Sequence, residues 1–216
     1  MYQQIPNAIT LSRLLLALVF FVLLSWYQHE GRGDPTLLNV AFIVCAVAMF
    51  TDYLDGYLAR KWNVTSQFGR IVDPFVDKIL VLGAFAFFAG KNFILRETSS
   101  VGLVVYTVTG VAPAVVVVLI ARELLVTTLR GIVESSGQAF GADWSGKVKM
   151  IVQSATILVI LAYVNYREWL LTHPPAETYA RVLRDLCIWS TVVITLISGW
   201  HYIRRAIRAS QSPGTP

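Results

Sequence analysis

Uncharged apolar runs alternate with short polar connections along nearly the whole chain. A bilayer crossing needs about 20 apolar residues in a helix. On that measure the pattern predicts six spans. The first covers Ile9 to Tyr27, with Arg13 near its start, and the second Thr36 to Leu58, uncharged until Asp52. The third runs from Ile71 to Ala89 and carries Asp73, Asp77 and Lys78 in its first turns. The fourth covers Val101 to Ala121 and continues as a helix toward Glu134. The fifth runs from Val148 to Tyr166 and the sixth from Leu186 to Tyr202. No internal repeat interrupts this order. The reading is an all-α integral membrane protein with six transmembrane helices. Residues 1–208 form a single domain, and the tail from 209 to 216, ending SQSPGTP, is expected to be disordered.

Composition agrees with that reading. Of 216 residues 56% are hydrophobic and 14% charged, with a mean hydropathy of +0.60. Soluble domains carry about 25% charged residues. A cleaved signal peptide is the rival for the first segment. No lysine or arginine precedes Arg13, and SWYQHEG offers no small-residue cleavage site, so a retained helix is preferred. Cys45 and Cys187 sit in apolar runs without metal-site spacing, which argues against a disulfide framework and for small packed side chains. His29, His173 and His201 are far apart, which disfavours a histidine metal site. Gly110 and Gly199 read as packing positions.

Charge fixes an orientation. With six spans, the side holding both termini carries twelve of the 18 basic residues and the other side six. The positive-inside rule places the richer side in the cytoplasm. The acidic residues split almost evenly, so the net +5 lies on that side and suits anionic headgroups. Trp26, Tyr27 and Trp169 read as interfacial anchors.

The chemistry concentrates in one stretch, DYLDGYLARKWNVTSQFGRIVDPFVD, from Asp52 to Asp77. Asp52, Gly56 and Ala59 share a helical stripe, and Asp55 is a near neighbour of Asp52. Asp73 and Asp77 are spaced one helical turn apart. Two helices joined by a short turn would let the carboxylate pairs face each other. Unneutralised carboxylates that close repel, and at a membrane they also lose solvation. Hard divalent cations relieve both costs, because Mg²⁺ and Mn²⁺ prefer oxygen ligands. Gly56 and Ala59 leave a bare floor for a flat ligand, and Arg60 offers a planar fork for phosphate. Pro74 suits a first helical turn, which would set Asp73 near a helix N-terminus, where the dipole favours anions. The alternative, that these aspartates are solvated or salt-bridged helix ends, is weaker, because ionisable groups within apolar spans are functional by default.

Read as a string, the stretch is D-x2-D-G-x2-A-R-x8-G-x3-D-x3-D, with Gly69 as its spacing glycine. It resembles the signature of the CDP-alcohol phosphotransferase family at all eight specified positions. The preceding Asn7, Thr10 and Arg13 resemble that family's entry helix, although on their own they would read as a helix cap and an interfacial arginine. The resemblance implies a transferase acting on a lipid nucleotide. Two ions, Mg²⁺ or Mn²⁺, would be held by Asp52, Asp55, Asp73 and Asp77. Asp77 would also be the catalytic base. CDP would bind at Asn7, Thr10, Arg13, Asp52, Gly56, Ala59, Arg60, Ser66 and Gly69.

A second basic group comprises Arg70, Arg122, Arg130 and Lys147, with Lys149 close by. Arg122 and Arg130 are near two helical turns apart and can share a stripe, with Glu123 able to pair with a neighbouring arginine. The bland reading is a positive-inside cluster; the functional one is an anion pocket for a phosphorylated acceptor. ARELLVTTLR followed by SGKVKMIVQ resembles the phosphatidylglycerophosphate synthase branch. That implies CDP-diacylglycerol and glycerol 3-phosphate as substrates, a homodimer, and no nucleic-acid partner. In a bacterium it implies the inner membrane, with the site facing the cytoplasm. Another acceptor (inositol phosphate, serine, or phosphatidylglycerol in cardiolipin synthesis) stays open, and a divalent-cation transporter is the reading from a different class. VESSGQAFGADW, residues 133–144, fits no part of the pattern.

Overall fold

A computed structural model describes the backbone of residues 5–30, 33–62, 67–99, 102–135 and 144–211; within these, side chains 5–10, 52–74, 97–99, 102–104, 134 and 209–211 fall outside the description. Among the described residues are six long α-helices and one short one: α1 (Ile5–Trp26), α2 (Pro35–Trp62), α3 (Gln67–Phe88), α4 (Pro113–Ser135), α5 (Trp144–Asn165), α6 (Arg167–Leu171) and α7 (Pro174–Gln211). Over their described residues two of them, Trp144–Asn165 and Pro174–Arg208, are long and apolar enough to cross a membrane, and Leu11–Trp26 and Pro35–Thr51 are shorter apolar stretches. The outward faces are greasy: Leu15, Val22, Ile43, Phe50, Leu186 and Trp189 all stand exposed. Contiguous apolar surface of that kind on α1, α2 and α7 is what a lipid environment requires.

The helices pack in an order set by small residues. Ala17 on α1 and Ala41 and Ala48 on α2 are fully buried, letting the helix backbones approach. Gly83 on α3 lies under the Phe21 ring, and a Cβ there would stand 2.4 Å from Phe21 Cζ. Phe20, Leu24, Phe85, Phe88, Leu119 and Ile160 fill the centre. The helix ends away from the aspartates are capped by side chains. Asn92 donates its amide to the Leu24 carbonyl at 2.9 Å, and Thr109 donates its hydroxyl to the Phe88 carbonyl at 2.7 Å. Both satisfy terminal carbonyls that a helix leaves without partners.

Along the α5–α7 contact runs a polar seam. Thr156 Oγ1 lies 2.8 Å from Thr191 Oγ1 and donates to the Cys187 carbonyl at 3.1 Å; Gln153 donates to Thr195 at 3.4 Å. Interhelical bonds of this kind contribute about 0.6 kcal/mol each in membrane proteins, and their more specific effect is to fix the register of α7.

Three expectations need correction. The fourth span does not start at Val101. Strands β1 (Ile94–Ser99) and β2 (Gly102–Thr107) form an antiparallel hairpin, in register from Ile94 opposite Thr107 to Ser99 opposite Gly102. Val104, Val105, Tyr106 and Thr107 favour a strand, Gly110 turns the chain with φ at +74°, and Pro113 opens α4. An uncharged run can be strand as readily as helix. The last helix is far longer than Leu186 to Tyr202. Its 38 residues begin at Pro174, where the Glu177–Arg181 pair at 2.6 Å supports a polar first stretch, and continue past residue 208 to Gln211. Asp73 is not in the first turn of its helix, because α3 opens at Gln67; Pro74 sits in the helix interior, a position membrane helices tolerate. Both cysteines are free, Cys45 buried and Cys187 half-buried.

Candidate active site

The end of the bundle opposite the hairpin is built from the first half of α3, the second half of α4, the start of α5 and the end of α7. A cavity of about 400 Å³ opens there, lined among others by Asp77, Lys78, Arg122, Glu123, Arg130 and Lys147. Lys149, Gln153 and Tyr202 complete its polar wall. The structure thus brings together the proposed base and three of the four residues expected to bind the acceptor phosphate. The fourth, Arg70, lies on α3, with its side chain outside the description.

Glu123 is the hub of the cavity wall. It is 7% exposed, takes Arg122 Nη1 at 2.7 Å, contacts Lys149 Nζ, and has Lys78 Nζ 4.0 Å away. One buried carboxylate surrounded by three cations holds them in place without cancelling them. Among the described lining residues, five cations (Lys78, Arg122, Arg130, Lys147, Lys149) face two carboxylates (Asp77, Glu123), a surplus of three positive charges.

Arg122 is also buried. Its Nη2 donates to Ser198 Oγ on α7 at 2.5 Å. Arg130 Nη2 donates to Tyr202 Oη at 3.3 Å. The Nε atoms of both arginines are buried with no hydrogen-bond partner among the described residues. Orphaned buried donors on cationic groups call for an acceptor from outside, and an anion in this cavity supplies one.

Asp77 also lines a second cavity of about 250 Å³, together with Arg13, Ala48, Met49, Val76, Leu80, Val81, Met150, Ile151 and Ser154. That cavity is mostly apolar, and Arg13 contacts the Asp77 carboxylate within it. One carboxylate therefore separates a cation-rich space from an apolar one. Asp77 already takes a cationic partner, and a carboxylate oxygen in that position suits a hard divalent ion.

The remaining expected residues are placed by backbone only. Asn7 and Thr10 are on α1; Asp52, Asp55, Gly56, Ala59 and Arg60 are on α2; Gly69 and Asp73 are on α3. Their side chains lie outside the described residues, as does Ser66 altogether. Only residues 63–66 separate the two aspartate-bearing helices, as the sequence pattern requires.

Sequence reasoning missed Lys149 as an ion-pair partner and missed the part that α7 plays in the site. Ser198 and Tyr202 looked like the end of an apolar span. The available signal was a seam of Thr191, Thr195 and Ser198 at alternating four- and three-residue spacing, which marks one helix face.

Comparison with known proteins now adds an independent line. The profile of the CDP-alcohol phosphatidyltransferase family matches residues 3–200. A CDP-diacylglycerol–glycerol-3-phosphate 3-phosphatidyltransferase of Bacillus subtilis is 31% identical over 209 residues, covering 94% of each chain. A probable phosphatidylglycerophosphate synthase of Mycobacterium tuberculosis is 31% identical over 205 residues, 95% of this chain and 82% of that one. A protein of Escherichia coli K12 with the same name as the Bacillus one is 30% identical over 193 residues, 87% of this chain and 90% of that one. With nearly the whole chain matched, and with the eight-residue signature complete, the protein belongs to the CDP-alcohol phosphatidyltransferase family.

Proposed function

We propose that this protein transfers the phosphatidyl group of CDP-diacylglycerol to glycerol 3-phosphate, giving phosphatidylglycerophosphate and CMP. The observation that carries the reading is the position of Asp77 between a cation-rich cavity and an apolar one. The acceptor phosphate docks against Arg122, Arg130 and Lys147, with Arg70 as a further cation. Its net charge matches the positive surplus of the wall, which a zwitterionic acceptor such as serine would not. The names of the Bacillus and Escherichia relatives support the same acceptor.

The lipid nucleotide lies on the other side of Asp77, with Asn7, Thr10, Arg13, Gly56, Ala59, Arg60, Ser66 and Gly69 around the CDP moiety. Asp52, Asp55, Asp73 and Asp77 would hold the divalent ions, two Mg²⁺ or Mn²⁺, which when bound would supply neutralisation of the diphosphate and of the departing CMP. The free hydroxyl of glycerol 3-phosphate attacks the lipid-side phosphorus in line. Asp77 takes the hydroxyl proton, the new oxygen–phosphorus bond forms, and the bond to CMP breaks. Arg13, in contact with the Asp77 carboxylate, is the cation expected to face the diphosphate. Cations on packed helices, Arg122 buried and Arg130 half-buried, hold the acceptor in place before reaction, which lowers the entropic part of the barrier.

In this reading six helices cross a bacterial inner membrane, the site faces the cytoplasm, and the enzyme is a homodimer. Purified protein with labelled CDP-diacylglycerol and a panel of acceptors tests it. CMP release with glycerol 3-phosphate is expected; release only with inositol phosphate, phosphatidylglycerol or serine would move the protein to another branch.

A further inference from the structure

We propose that Tyr202 and Ser198, on the last helix, are positioning residues for the acceptor: together they hold Arg122 and Arg130 as a single anion clamp. The inference rests on the acceptor reading above and adds α7 to a site that the signature assigns to α1, α2 and α3.

Tyr202 is 4% exposed, so it is not an interfacial anchor of the kind that tyrosines at span ends usually are. Its ring lies 5.6 Å from the Arg122 guanidinium carbon and 5.9 Å from that of Arg130. Its hydroxyl accepts from Arg130 Nη2 at 3.3 Å. One ring therefore attracts two cations that repel each other. Without a shared partner, two flexible arginine side chains of like charge would move apart.

One turn earlier on the same face, Ser198 accepts from Arg122 Nη2 at 2.5 Å and lies 3.3 Å from Ser145 Oγ on α5. Between them, Gly199 leaves room for the arginine stem, since a Cβ there would stand 3.2 Å from Arg122 Cγ. Hydroxyl, gap and ring form a cradle shaped to one extended arginine. The Thr191, Thr195 and Gln153 seam below fixes the rotation of α7 that presents this face. With both Arg122 Nη atoms committed to Glu123 and Ser198, and Arg130 Nη2 to Tyr202, each arginine keeps a buried Nε without a partner among the described residues. An acceptor phosphate would take those donors.

The test compares Tyr202→Phe, Tyr202→Leu and Ser198→Ala with Arg130→Ala in purified enzyme. It reads KM for glycerol 3-phosphate, KM for CDP-diacylglycerol, kcat, inhibition by inorganic phosphate, and the melting temperature. Tyr202→Phe keeps the ring and loses one hydrogen bond, so acceptor KM should rise about three- to tenfold. Tyr202→Leu loses the ring as well and should raise it further. Ser198→Ala should raise it about threefold. KM for CDP-diacylglycerol should stay within about twofold, and phosphate inhibition should weaken in parallel with the acceptor effect. If Arg130→Ala raises acceptor KM while the α7 variants do not, the positioning claim fails and the acceptor pocket stands. An unmoved acceptor KM in Arg130→Ala as well overturns both. Equal changes for the two substrates, or loss of activity tracking loss of melting temperature, would make α7 merely structural. Should Tyr202→Leu not fold, Tyr202→Phe and Ser198→Ala decide.

Discussion

Replacing Arg122 by alanine separates acceptor binding from stability. Among the described residues the guanidinium makes two hydrogen bonds, to Glu123 at 2.7 Å and to Ser198 at 2.5 Å, and keeps a third donor, Nε, buried without one. On removal, Glu123 retains Lys149 and Ser198 retains Ser145. Neither group is orphaned, so the loss of stability should be modest, about 1–3 kcal/mol. The acceptor loses more in relative terms. A hydrogen bond to a charged group contributes about 1.5–3 kcal/mol, which corresponds to about 10- to 150-fold in acceptor KM if one such bond goes. CDP-diacylglycerol, on the far side of Asp77, should be nearly unaffected. Arg122→Lys keeps the charge but not the planar fork and should fall between. The assay is release of labelled CMP, with each substrate varied in turn, at a temperature where every variant is folded. An unchanged acceptor KM, or equal rises for both substrates, would refute the placement of the phosphate.

Other perturbations reach other parts of the account. Asp77→Asn should abolish CMP release while CDP-diacylglycerol still binds in an equilibrium assay; ordinary turnover would remove the base assignment. EDTA should stop turnover and added Mg²⁺ or Mn²⁺ restore it, whereas a chelator-resistant enzyme would contradict the carboxylate–metal scheme. Gly83→Ala should lower the melting temperature through its clash with Phe21, at a cost of about 1–3 kcal/mol, without shifting either KM. An unaltered melting temperature would show that the α1–α3 contact can relax.

The aspartate helices were legible because metal and phosphate chemistry demands particular residue types at rigid spacing. Asp52 to Asp77 carries those types, and the break between α2 and α3 falls where the pattern needs a turn. Arg122 and Arg130 were legible for a related reason: two cations on one helical stripe, near a third on the next helix, converge if the helices are antiparallel. The hairpin was hidden because hydropathy alone does not distinguish a β-branched apolar strand from a helix, although Gly110 and Pro113 marked the boundary. The contribution of α7 was hidden for a different reason. Tyr202 and Ser198 act by touching side chains 72 and 76 positions away, and no local pattern encodes that. The length of α7 was missed because apolar run length marks where a helix meets lipid, and a helix stabilised by caps and ion pairs continues beyond it.

On the proposed reading, the cation-lined cavity beside Asp77 seats the phosphate of the acceptor alcohol. A structure of the protein with glycerol 3-phosphate and a non-reactive analogue of the lipid nucleotide tests this most directly. The account predicts the acceptor phosphate against the Nε atoms of Arg122 and Arg130, with a free hydroxyl directed at Asp77. Phosphate bound elsewhere, with that cavity holding only solvent, would contradict it.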